Sequence, residues 1–135
     1  MKNEKKMNNK GFSLVELIIV IAIMAVLIAV LAPQYMRFIE RGRAASDRDN
    51  VKAIVGALQV HGADTQVTNA LASGTITLQR GSTAAVTDAS YTEALTNAGI
   101  ALPLPALTNQ STFSSVTITI TVNSGTYSVI ATENT

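Results

Sequence analysis

The sequence predicts an α+β fold, a long N-terminal helix packed on a small antiparallel β-sheet head. The helix is apolar in its first half and amphipathic in its second. Three observations carry this reading. Leu17 to Ala32 are sixteen consecutive residues without a polar side chain. Beyond Pro33, the residues Met36, Ile39, Val51, Ile54, Val55 and Leu58 recur mostly at three- and four-residue spacings, the period of one helix face. Near the C-terminus, Val116, Ile118, Ile120 and Val122 alternate with Thr117, Thr119 and Thr121, the period of a half-buried strand. A length of 135 residues allows one small domain, or one domain plus a tail.

In chain order, residues 1–11 are polar and basic and end in Gly11. They cannot bury a core and are expected to be disordered or removed. Residues 12–33 form a membrane-spanning or bundle-core helix, and residues 34–62 its amphipathic continuation. A helix from Phe12 to about Gly62 would be ~75 Å long, far more than a bilayer needs. Its second half must therefore stand outside and pack on something. Pro33 removes a backbone donor and is expected to kink or locally open it. Arg41, Arg43, Asp47, Arg48, Asp49 and Lys52 supply its polar face.

Residues 63–135 read as the head. From His61 onward, 24 of 75 residues are Ser or Thr and few are charged, so hydroxyls rather than ions keep this surface soluble. Gly74–Gln79 is a strand. Ser90-Tyr-Thr-Glu93 is a capping-box pattern that opens a short helix ending at Gly99. Pro103 and Pro105 mark an extended connection. Asn123-Ser124-Gly125 is a turn, returning the chain antiparallel over Thr126 to Thr132. The Val116–Val122 apolar face is expected against Ile54, Val55 and Leu58, with the threonines turned outward.

Composition excludes several chemistries. There are no cysteines, hence no thiol catalysis, disulfide or Cys-ligated metal. His61 stands alone, which makes a histidine-based triad unsupported. No catalytic residue, metal or cofactor is assigned, and the chain reads as no enzyme. The leader carries +3 and the remainder −2. No basic stripe with interleaved aromatics exists, so no specific nucleic-acid partner is expected. His61 reads as a capping or surface residue, and Asp47 and Asp49 as a solvated helix face or subunit contacts. Asn109-Gln-Ser111 matches a glycosylation sequon. Asp88 and Glu133 are too few for a calcium cage.

The apolar run poses a targeting question. Signal-peptide cleavage after Ala32 would place Pro33 directly behind the cut, a poor substrate position. A plain anchor does not explain Glu16, since a carboxylate inside an apolar helix costs ~2.5–3.5 kcal/mol and marks a functional candidate; the alternative is a Glu16 that lies near the headgroups and solvates itself.

Lys10-Gly-Phe-Ser-Leu-Val-Glu16, followed at once by the apolar run, resembles the prepilin signal of type IV pilins and related pseudopilins. The resemblance covers residues 6–40 by motif and the rest by architecture. It implies a pilin-like fold and a leader of residues 1–11. A prepilin peptidase would cleave between Gly11 and Phe12 and methylate the new N-terminus. It implies that Glu16 docks subunits by pairing with the Phe12 amine of a neighbour in a homo-oligomeric helical filament. The partners are then the peptidase, the pilus assembly machinery and the cytoplasmic membrane. The precursor would lie in the membrane and the product in an extracellular pilus of the kind used in adhesion and motility. Two departures stand out. Ala25 occupies a position where many members have glycine, and the cysteine-free head fits Gram-positive members. A pseudopilin of a secretion or DNA-uptake system shares every N-terminal feature. A membrane-tethered binding domain is the alternative of another class, and it predicts an intact Gly11–Phe12 bond.

Overall fold

The computed structural model describes residues 11–135. Residues 1–10, most of the expected leader, lie outside the described residues. The chain divides into two compact units, one ending at Arg37 and one comprising Phe38–Thr135.

The first unit holds the beginning of helix α1, which spans Leu14–Ala63. Its alanines, leucines and Met24 favour the helix, which the β-branched isoleucines and valines do less. Pro33 can donate no bond to the Ala29 carbonyl, yet the helical assignment runs unbroken through it and through Gly42. Every described side chain up to Arg37 is exposed. This stretch is long and apolar enough to cross a membrane.

The second unit is the head. It contains the rest of α1, strand β1 (Gly74–Gln79), helix α2 (Ala89–Asn97), strand β2 (Ser115–Asn123) and strand β3 (Thr126–Asn134). The sheet is antiparallel throughout, in the order β1-β2-β3. Its register pairs Ile76 with Ile118, Leu78 with Val116 and Ile120 with Val129, so their side chains share one face. These six join Ile54 and Leu58 of α1, Leu95 of α2, and Leu104 and Phe113 in a single core.

The expected strand face is confirmed: Val116, Ile118 and Ile120 are buried and Val122 is half-buried, while Thr119 and Thr121 are exposed. Thr117 is half-buried and accepts a bond from the Asn134 side chain (3.1 Å). Ser124 (φ 46°) and Gly125 (φ 84°) form the two-residue turn between β2 and β3, the left-handed pair that suits a twisted hairpin. β3 continues to Asn134, two residues past the expected Thr132.

Helix α2 corrects its expected start. The cap is Asp88, whose carboxylate accepts the Ser90 N–H (2.8 Å); Ser90 itself lies inside the helix and is buried. Aspartate caps as well as serine does, and the Asp88 carboxylate also takes the Ser90 hydroxyl. The end is as expected. Gly99 has φ 74°, and the Gly99 and Ile100 N–H groups donate to Thr96 and Leu95, the double bond of a Schellman stop. At the close of α1, Gly62 is buried where a Cβ would come within 2.9 Å of the Tyr127 ring. Glycine costs helix propensity there but lets β3 approach.

Candidate functional site

The N-terminal site begins outside the helix. Gly11, Phe12 and Ser13 precede the first turn of α1, and Phe12 is 93% exposed. The Ser13 N–H donates to Glu16 Oε2 at 3.0 Å, and the Ser13 carbonyl accepts from the Leu17 N–H at 3.3 Å. Glu16 thus covers one of the four N–H groups that a helix start leaves without partners, as the glutamate of a capping box does. Its negative charge also suits the positive end of the helix dipole. A Cβ at Gly11 would meet nothing within 4 Å, so the fold itself does not require glycine there. Gly11, Phe12 and Glu16 lie together at this end of α1, and Pro33 stands within the helix well beyond them.

The head contains a second polar system, built from carboxylates that hold loops. Asp47 is buried rather than solvated, which corrects the sequence expectation. Its two oxygens accept the Thr108 N–H and hydroxyl and the Asn109 N–H and side-chain amide, at 2.8–3.0 Å. Burial pushes its pKa up, but these donors outweigh burial and leave it below its ordinary value. One helical turn pair earlier, Glu40 accepts the Gln110 and Ser111 N–H groups. The Ser111 bond leads in lowering its pKa. Asp47 and Glu40 together fasten residues 108–111 to α1.

His61 is also a correction. It is buried and its Nε2 donates to the Asn69 carbonyl at 2.8 Å. Glu93 of α2 accepts the Thr68 and Asn69 N–H groups at 2.9 Å and the Asn69 side-chain amide at 2.7 Å. The Thr68 bond is foremost in holding its pKa low. The Tyr91 hydroxyl donates to the Ala72 carbonyl at 2.8 Å, and burial raises its pKa. The 64–73 loop is thereby held in its middle, at Thr68 and Asn69, and near its end, at Ala72.

Asn109 is fully buried and also accepts the Phe113 N–H at 3.1 Å, so the sequon is closed to modification in the folded head. Glu133 is bound by Arg48 through Nη2 at 2.8 Å, and that contact lowers its pKa. The same guanidinium stands 5.4 Å from the centre of the Phe113 ring. Asp88 serves the α2 cap; it and Glu133 are each engaged separately. Among the described residues, no three His, Asp or Glu converge on one point.

A sequence signal for part of this existed. Ala44, Asp47, Val51, Ile54, Leu58 and His61 are buried in turn at spacings of three and four. The stripe that contains Val51, Ile54 and Leu58 therefore places Asp47 and His61 on the core side. No comparable signal announces Glu40 or Glu93, whose partners lie 70 and 25 residues away.

Comparison with known proteins adds three findings. Residues 6–32 match the family model described as the prokaryotic N-terminal methylation motif. The chain is 34% identical over 80 residues to prepilin peptidase-dependent protein A of Clostridium perfringens, covering 58% of this chain and 57% of that protein. It is 39% identical over 49 residues to the type IV major pilin protein PilA of Myxococcus xanthus, covering 36% of this chain and 22% of that one. The match thus spans less than two thirds of either relative. No solved structure gives a significant match.

Proposed function

We propose that this type IV pilin-like chain, which carries a prepilin methylation motif, is a structural subunit of an extracellular type IV pilus. The observation that supports it best is the order of features at the start of α1: a non-helical Gly11-Phe12 step, Glu16 on the first turn, then an exposed apolar helix. The pseudopilin reading shares this order, and no observation in the head favours it.

The proposed sequence of events follows from charge and hydrophobicity. The +3 leader stays on the cytoplasmic side while the apolar helix inserts. The relative from Clostridium is named as prepilin peptidase-dependent; carried over, the peptidase cuts between Gly11 and Phe12 in the segment that α1 leaves unwound. Gly11 is then a requirement of the peptidase and not of the fold. The cut removes the leader charges from the helix end and creates an amine at Phe12, which is methylated. In the filament the apolar helices leave the lipid for one another. Glu16 exchanges its bond to the Ser13 N–H for the Phe12 amine of a neighbour. That pairing neutralises both charges and sets the axial register, because an unpaired buried charge is expensive. Glu16 docks subunits; it catalyses nothing.

Glu16 substitutions test this. Glu16→Ala should be inserted and cleaved normally yet enter filaments poorly when it is the only copy. A broken buried pair costs ~3–5 kcal/mol. Glu16→Gln keeps size and hydrogen bonding and should retain much of the defect. Filament counts by electron microscopy, beside immunoblots of cleaved subunit, separate assembly from processing. Normal filament numbers in both variants would remove Glu16 from the mechanism.

A further inference from the structure

We infer that Phe38 of one copy seats in a cavity beside α1 and α2 of another copy, with its Arg41 paired to Asp64 at the cavity's rim. This deepens the filament function proposed above and rests on it.

The cavity, Phe38 and Arg41 all belong to the second unit. The cavity measures about 360 Å³ and is lined on α1 by Ala53, Gly56, Ala57 and Val60, and past the end of α2 by Ala98 and Ile100. Cavities of ~150 Å³ already hold a benzene ring. Gly56 is the residue that asks for an outside occupant. Glycine weakens a helix interior. At Gly62 the fold supplies the reason, since a Cβ would meet the Tyr127 ring at 2.9 Å. At Gly56 a Cβ would meet nothing within 4 Å, so the head itself does not need glycine there. Gly42 is equally free of neighbours, but Gly56 is the one whose missing side chain leaves room in this cavity.

The same chain carries a matching plug. In the head, Phe38, Val60 and Ile130 are the large apolar side chains left exposed. Val60 belongs to the cavity wall. Ile130 stands opposite Thr119, on a strand with no cation. Phe38, 73% exposed, has Arg41 three residues on, along the same helix face. Arg41 is exposed and, among the described residues, in no ion pair. Asp64 also lines the cavity, is exposed and is in no such pair; its carboxylate accepts the Gln66 N–H at 2.8 Å. An apolar plug with a cation beside it thus meets an apolar cavity with an anion at its rim.

The spacing suits copies that point the same way, as subunits drawn from one membrane do. Phe38 and Gly56 are eighteen residues apart on α1, about five turns, so they share a face roughly 27 Å apart along the axis. A parallel copy shifted by that distance sets its Phe38 level with Gly56. Its Arg41 then comes level with Gln59, ~7 Å below Asp64 and within the reach of an arginine. Plug and cavity are different patches joined by a shift. Such a contact does not close on itself and propagates along a filament.

The test uses the full chain as the sole copy in cells that assemble it. p-Benzoylphenylalanine in place of Phe38 keeps an aromatic plug and crosslinks its surroundings on irradiation. In sheared filaments it should join two chains, and mass spectrometry should place the second end within residues 53–60 or 94–100. Gly56→Leu fills the cavity; it should keep its helix content in detergent and lose filaments several-fold. Arg41→Glu and Asp64→Lys should each lower filament numbers by up to about fivefold, and the two together should restore them. Filaments whose crosslinks fall elsewhere overturn the inference while leaving the proposed function standing. Normal filament numbers for Gly56→Leu, or a double charge swap no better than either single, also overturn it. If Gly56→Leu loses helix content, the crosslink position decides alone. A wild-type chain that enters no filament rejects the proposed function itself.

Discussion

The two units of the chain treat water in opposite ways. In residues 11–37 every side chain is exposed, including Ile18, Ile21, Leu27 and Leu31. In the head, Leu58, Leu95, Leu104 and Ile118 are completely buried. Among the described residues, no buried side-chain nitrogen or oxygen lacks a hydrogen-bond partner. The head is thus complete in its core, where apolar side chains are covered and buried polar ones satisfied, with Phe38, Val60 and Ile130 left exposed outside it. The apolar helix is not. Folding leaves its surface uncovered, so whatever covers it must come from outside the chain, either lipid or other apolar helices. Under the proposed function this division is what lets the subunit exchange lipid for other apolar helices, because only an uncovered helix can exchange one apolar environment for another.

Separating the units is the largest perturbation. A fragment comprising Phe38–Thr135 should be soluble without detergent and melt in one cooperative transition, since the whole core lies within it. The full chain should need detergent or lipid. A fragment that melts gradually in circular dichroism would show that the head depends on the apolar helix and would break the comparison.

Within the head, the two aspartates of the stem sharpen it. Asp47→Ala should destabilise the fragment by on the order of 2–4 kcal/mol, because the Thr108 and Asn109 N–H groups would lose their acceptor. In a domain of this size that lowers the melting temperature by roughly 10 °C or more. Asp49→Ala, two residues away and exposed, should change stability by no more than about 0.5 kcal/mol. Equal effects would mean that the 108–111 loop is not held by Asp47.

Acid should produce a more gradual version of the same loss. Glu40, Asp47, Asp88, Glu93 and Glu133 all have pKa values below their ordinary ones. Each therefore takes up a proton more readily in the unfolded chain. The stability they contribute is complete above the ordinary carboxylate range near pH ~4 and is lost as pH falls through their lowered values. The melting temperature of the fragment should stay level from about pH 7 to about pH 5 and decline below about pH 4.5. A decline beginning near neutrality would point to a group other than these carboxylates.

These contrasts also explain what the sequence made legible. The helix, the β2 alternation and the Ser124-Gly125 turn are local patterns, and a period or a turn dipeptide reveals them. Asp47 and His61 were misjudged because their residue types were weighed before their phase on the Ala44–His61 stripe. Asp88 displaced Ser90 as the α2 cap because both are good caps, and which one serves depends on where the chain arrives. The Glu40 and Glu93 clamps join segments distant in sequence, through backbone N–H groups that every residue carries, so no pattern of residue types could display them. At the N-terminus the position was reversed. Glu16 in an apolar run stood out in the sequence as a candidate, while its bond to the Ser13 N–H emerged only from the structure.

The central claim is that the chain is a processed subunit whose apolar helix remains attached to the head. Intact mass spectrometry of the subunit isolated from sheared surface filaments tests it most directly. The account predicts one species that begins at Phe12, carries one added methyl group and extends unbroken through the apolar helix into the head. A species that retains residues 1–11, or one that begins at Pro33, would contradict it.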